Sequence, residues 1–177
     1  MLECDDSDIT AVSFRLRAAG LLAGIALPVA AAALPPPDTT PLLRVSGDIA
    51  HPNIGEEAHI DRSLFASLPR QTLDTTTVVT DGVSHFEGVL MRDLLDAVGA
   101  QGDEVVATAL NDYIIDIPMQ DFHDYDVLLA DTMDGETLTP RDKGPLWIVY
   151  PRDDHSELQD IRYDYRWVWQ LEQLEIR

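Results

Sequence analysis

From residue 42 onward, apolar and polar positions mostly alternate, which predicts strands more often than helices. "LLRVSGDIA" (42–50) reads as a first strand ending in a Gly-Asp turn, and "EEAHID" (56–61) as a second, short one. Asp61 can cap a brief helix through "RSLFASLP", which Pro69 stops. "QTLDTTTVVTDG" (71–82) alternates, is rich in threonine and valine, and predicts a strand ending at Asp81-Gly82. The period then changes. In "VLMRDLLDAVG", Leu90, Leu94, Leu95 and Val98 fall on one helical face, with Gly99 as the C-terminal stop.

Strand periodicity returns in "EVVATAL" and "YIIDIP", around a turn at Asn111-Asp112. "VLLADTM" and "ETLTP" flank Asp134-Gly135, a hairpin turn. "LWIVYP" is apolar throughout and predicts a buried strand. "RYDYRWVWQLEQLEIR" predicts a last strand with Tyr163, Tyr165, Trp167, Trp169 and Leu171 on one side. Its apolar phase then moves to Leu174 and Ile176, which predicts a bulge or bend. The sum is an α+β domain, mixed but mostly β, with two or three short helices.

The first forty residues break this pattern. Arg15 and Arg17 precede an apolar segment from Ala18 to about Ala33, and prolines follow. A basic start, a short apolar stretch and small residues make a secretory signal peptide, cut near Ala33. A membrane anchor is the rival, but the run is short and holds Pro28. The acidic leader "MLECDDSDIT" sits badly ahead of such a peptide, which points to a downstream start such as Val12. The expected organisation is leader and signal peptide over 1–33, a linker over 34–41 with its stiff "PPPDTTP" at 35–41, and the domain over 42–177. Export to the periplasm or medium follows, with no stable membrane insertion after cleavage.

Charge narrows the function classes. The formal net charge is −20, with 32 acids against 12 bases. So few cations argue against nucleic acid and against an anionic membrane surface. The charge is uneven. Residues 34–140 carry twenty acids and four bases, whereas 141–177 carry eight and six. Arg141, Lys143 and Arg152 bracket one strand and can hold an oxyanion or phosphate. The competing reading pairs them with Asp142, Asp153 and Asp154.

Other chemistry is thin. The single cysteine, Cys4, lies in the leader, so a chain trimmed near residue 33 has no disulfide and no thiolate ligand. The five histidines are scattered, and no spacing enforces a metal site. "DTMDGE" lacks the ligand spacing of a calcium loop. Ser84 and His85 are adjacent, so in a strand they face opposite ways, against a hydrolase triad. Tyr113, Trp147, Tyr150, Tyr163, Trp167 and Trp169 can line a pocket, although aromatics at strand spacing more often pack in a core.

Five segments in order carry a family resemblance: "LRVSGDIA", "FEGVLMRDLLDAVGA", "ALNDYIIDIP", "RDKGPLWIVYP" and "VWQLEQLEI". Across about residues 41–177 the chain resembles the molybdopterin-binding domain of the sulfite oxidase family. It is most similar to the small exported single-domain branch labelled molybdopterin-dependent oxidoreductase. The resemblance implies that family's compact mixed α/β fold. It also implies a molybdenum-ligating cysteine before the "FEGVLMRDLL" segment, and that position falls near Thr76. Threonine lacks the soft thiolate. "RDKGPLWIVYPRDD" is similar to the family's Gly-x-Pro-Leu-Arg-x-Val-x-Pro segment, with Trp147 where the arginine stands.

The reading that follows is an exported molybdopterin-binding-domain protein without redox chemistry. It would serve as a ligand-binding, accessory or sensory module. No metal ligand or catalytic residue is assigned and no cofactor is expected. Its candidate pocket comprises Thr76, Asn111, Asp112, Lys143, Gly144, Pro145 and Arg152, taking a small anion or a protein partner. One alternative is an active oxidoreductase holding molybdopterin without a thiolate. Another is an interaction module using a late strand edge or Trp167 and Trp169.

Overall fold

A computed structural model describes residues 33–177; the expected leader and signal peptide therefore lie almost wholly outside the described residues. Ten strands form two sheets. The first contains β1 (Leu43–Gly47), β2 (Ala58–Ile60), β5 (Glu104–Ala109), β6 (Ile114–Pro118) and β10 (Leu171–Ile176), in the order β2-β1-β10-β5-β6. Its β1–β10 pair is parallel and the others are antiparallel. The second contains β3 (Arg70–Thr76), β4 (Val83–Leu90), β7 (Leu128–Met133), β8 (Glu136–Thr137) and β9 (Trp147–Val149). Here β8 and β9 both pair with β7, so one edge of β7 serves two short strands.

Four helices connect these strands: α1 (Arg62–Ser67), α2 (Met91–Val98), α3 (Met119–Asp124) and α4 (Ile161–Asp164). In α1, the Asp61 carboxylate accepts the Leu64 N–H at 2.9 Å, the N-cap bond that its position predicts. The other Asp61 oxygen accepts the N–H groups of Asp38 and Thr39, which ties the chain before β1 to the domain. Helix α2 buries Met91, Leu94, Leu95 and Val98 and ends at Gly99, whose φ of 65° suits glycine. One contiguous core takes side chains from both sheets; Trp147, Tyr150, Phe65, Phe86 and Phe122 are its largest fully buried members.

Four expectations change. The strand expected over 71–82 ends at Thr76, and a turn leads to β4, which no periodicity reading assigned. Thr77 closes that turn: its hydroxyl accepts the N–H groups of Val79 and Thr80, a local bond that competes with the ladder. Among the described residues the α-helices number four, with α3 and α4 added to the two that the pattern predicts; α3 buries Met119 and Phe122, one turn apart. "ETLTP" pairs over two residues only.

The largest difference is at the C-terminus. Residues 162–170 are not strand. Asp160 caps α4 by accepting the Arg162 N–H, and Gln170 has a φ of 54°, which breaks an extended run. The aromatic alternation therefore runs through an irregular segment, and only 171–176 pairs as strand. The foreseen bulge is present, as a register shift between Leu171 and Gln173 against β5.

Candidate functional site

The irregular segment after α4 lies over β9. The Ile148 N–H donates to the Val168 carbonyl at 2.9 Å, the Gln170 N–H to Lys143 at 2.9 Å and the Leu171 N–H to Leu146 at 3.0 Å. These bonds bring Trp167 and Trp169 against Trp147, each with ring centroids 6.4 Å apart in edge-to-face geometry. Phe86 of β4 closes on Trp147 from elsewhere, at 5.3 Å. Trp147 is fully buried and serves as the base of this aromatic group.

Above it is a cavity of about 170 Å³, lined by Asn111, Tyr113, Asp164, Tyr165, Trp167 and Trp169. Two segments more than fifty residues apart meet there. The β5–β6 turn supplies Asn111 and Tyr113; the last residue of α4 and the stretch after it supply the rest. The Tyr113 hydroxyl donates to the Tyr165 carbonyl at 2.8 Å and joins the two walls. Asn111 Oδ1 accepts the Tyr113 N–H at 3.1 Å. Burial, and secondarily the neighbouring Tyr165, pushes the Tyr113 hydroxyl pKa up, so it stays a neutral donor.

Behind Asp164 is a polar chain. Arg152 Nε is 4.0 Å from Asp164 Oδ1, and an Arg152 terminal nitrogen is 3.5 Å from the Thr76 hydroxyl. Thr76 in turn donates from both its N–H and its hydroxyl to Asp153, at 2.7 and 2.6 Å. The Thr76 hydroxyl is the largest cause that holds the Asp153 carboxyl below the usual range; the Thr76 N–H and the Arg152 charge add to it. Arg152 Nε, Asp164 Oδ1, Trp147 Nε1 and Trp167 Nε1 are all buried without a hydrogen-bond partner.

The candidate residues read from the sequence are only partly brought together. Asn111 lines the cavity, and Thr76 and Arg152 reach it through Asp164. Asp112, at φ 62°, sits in the adjoining turn and donates its N–H to Ala109. Lys143 bonds Asp142 at 3.1 Å and lies 5.8 Å from the Trp147 ring centre, under the aromatic group. Gly144 and Pro145 point elsewhere. Gly144 is buried against the backbone of Leu138, which a Cβ would meet at 2.3 Å. Pro145 lines a separate open groove with Leu42, Arg44, Pro140 and Glu172. Asp164 escaped sequence reading; nothing in "RYDYRW" marks it as different from any surface aspartate.

Comparison with known proteins bears on the fold. The family model described as "Oxidoreductase molybdopterin binding domain" matches residues 67–153, from the end of α1 to Asp153. Residues 67–153 thus carry an oxidoreductase-type molybdopterin-binding domain, the domain that the sulfite oxidase resemblance predicts. Among solved structures, the sulfane dehydrogenase SoxCD from Paracoccus pantotrophus is similar, with a TM-score of 0.57 and 19% identity. The alignment covers 76% of this chain and 37% of that one, so this chain spans little more than a third of that chain's length. At this identity the likeness is one of fold. No curated protein matches. The sulfite-oxidase-type α+β fold is thus shared, with β3, β4, α2 and β9 all inside the matched segment. Among the described residues, no helix is long and apolar enough to cross a membrane.

Proposed function

We propose that this molybdopterin-binding domain is a non-redox module that binds a small ligand in the cavity beside Asp164. The observation that carries the reading is the closed Thr76–Asp153–Arg152 group. By the family resemblance it occupies the position of the metal-ligating thiolate. Thr76 offers a hard hydroxyl already bonded to a carboxylate, and residues 33–177 contain no cysteine.

Two further features argue that a metal-bearing pterin does not fit this cavity. The cavity, at about 170 Å³, is well below the roughly 300–1,000 Å³ of ordinary cofactor pockets. The nearby cations are already matched: Lys143 with Asp142, Arg166 with Asp121, and Arg152 between Asp153 and Asp164. None of these three is left to neutralise a phosphate.

The test is elemental and fluorescent. The chain is expressed with its own leader in a host that makes molybdopterin, purified, and assayed for molybdenum and for oxidised pterin. Neither is expected. One molybdenum and one pterin per chain would overturn the proposal. That outcome would establish the second reading, an active oxidoreductase, which the family match favours. N-terminal sequencing of the same protein checks export, with Leu34 as the expected first residue.

A further inference from the structure

We infer that the cavity beside Asp164 takes a quaternary ammonium group. The inference rests on the non-redox reading above, in which this cavity is free for another ligand. Four of its six lining residues are aromatic: Tyr113, Tyr165, Trp167 and Trp169. Aromatic faces carry negative potential and attract a bulky, weakly hydrated cation. Trp167 is 2% exposed and forms the floor, whereas Tyr113 and Tyr165 are 39% and 57% exposed and stand at the mouth.

Charge points the same way. Asp164 adds a carboxylate to the wall. Its nearest cation, Arg152, is 4.0 Å away, beyond hydrogen-bond reach, and also faces Asp153. Two carboxylates thus share one guanidinium, which leaves one negative charge in excess. The whole chain, at −20, adds a field of the same sign. An anion, which the cluster of late basic residues led us to expect, would face the Asp164 carboxylate. The buried Trp147 and Trp167 N–H groups have no surface to offer it.

Hydrogen bonding selects among cations. A primary ammonium brings three N–H donors. Asn111 Oδ1 already accepts the Tyr113 N–H, and the Tyr113 hydroxyl, whose proton goes to the Tyr165 carbonyl, offers only a neutral phenolic oxygen. Asp164 is left as the main acceptor. A permethylated nitrogen brings no donor and loses nothing against aromatic walls. Size agrees too. A cavity of ~150 Å³ holds benzene, so one of about 170 Å³ suits a head group of similar bulk.

The chemistry is shared by a free solute such as choline and by a phosphocholine lipid head group, and one experiment separates them. Tryptophan fluorescence and calorimetry follow titration of the full mature chain with choline, with its neutral isostere 3,3-dimethylbutan-1-ol, and with phosphatidylcholine vesicles. Saturable binding of choline, with the neutral isostere much weaker, is the expected result. Binding to the vesicles alone would support the same pocket chemistry and identify the lipid as source. Asp164→Asn and, separately, the exposed Tyr165→Ala each weaken binding about tenfold. Circular dichroism checks that both variants are folded. No binding of either choline or vesicles overturns the inference. So does equal binding of the neutral isostere, or binding that survives both substitutions. Molybdenum and pterin are measured on the same sample. A loaded protein defeats the non-redox reading; an empty protein that ignores choline defeats this inference alone.

Discussion

Thr76 and Asp153, 77 residues apart, are joined twice: the Thr76 N–H and hydroxyl each donate to a different oxygen of the Asp153 carboxylate. The Asp153 N–H returns a bond to the Thr75 hydroxyl at 3.3 Å. The end of β3 is thereby fastened to the loop after β9, behind the cavity wall.

Thr76→Val keeps the shape of the side chain and removes its hydroxyl. The Asp153 pKa is held down chiefly by that hydroxyl, so it rises toward the ordinary range in the variant. A carboxyl-detected NMR titration reads this directly; an unmoved Asp153 would contradict the assignment. A depressed native pKa contributes stability above the unfolded pKa and loses it as pH falls through the native one. The gap in stability between wild type and variant therefore narrows in acid.

His85 gives the opposite dependence. It faces Asp74 across the β3–β4 pair, with Nδ1 2.6 Å from the carboxylate. That bond is the main cause that raises the His85 pKa, with the charges of Asp74, Glu87 and Asp134 adding to it. A raised native pKa contributes stability that is full below the unfolded value and lost as pH rises through the native one. His85→Gln should lower the urea midpoint at a pH of about 5 and leave it nearly unchanged at about 9. An equal loss at both would show that packing, not titration, is at stake.

Tyr150 is buried and donates its hydroxyl to Asp121 at 2.8 Å, while Arg166 grips the same carboxylate. Burial first, then the Asp121 charge, pushes the Tyr150 pKa well above its ordinary value, so the hydroxyl remains a donor at any working pH. Tyr150→Phe removes one bond to a charged acceptor and is expected to cost about 1.5–3 kcal/mol. Urea denaturation measures it. A change below about 0.5 kcal/mol would mean that Arg166 alone satisfies Asp121.

Gly88 lies in β4 against β7, where a Cβ would meet the Leu129 carbonyl oxygen at 2.0 Å. The pairing shifts register between Glu87 and Gly88, which brings the two backbones close. Gly88→Ala must push the strands apart, at a cost of about 1–3 kcal/mol or more. Thermal melting tests this; a melting temperature equal to wild type would refute the close approach.

The site was legible in fragments. Asn111 was marked by its turn, Thr76 by the family resemblance, Arg152 by the basic residues that bracket one strand, and Trp167 and Trp169 by aromatic content. Asp164 and Tyr165 carried no signal. They matter because the segment after α4 crosses β9 and meets a turn more than fifty residues earlier in the chain. Lys143, scarce and well placed in the sequence, proved to be held by Asp142 and Trp147. The Asp142 pair is the competing reading that the neighbouring acids offered.

What the amino-acid sequence determined by itself is local. Its period of two laid out most of the strands, Asp61 capped α1, Gly99 stopped α2, and Asp134-Gly135 turned the β7–β8 hairpin. It also fixed the acidic balance and confined the only cysteine to position 4. Each of these follows from neighbours within a few residues, where backbone sterics and one buried face decide the outcome. Tertiary structure alone decided that 162–170 would not be strand, that Arg152 would stand between Asp153 and Asp164, and that four aromatic residues would line one hollow. Those outcomes depend on side chains far apart in the sequence competing for the same space and the same charges, and no local pattern records which pair wins.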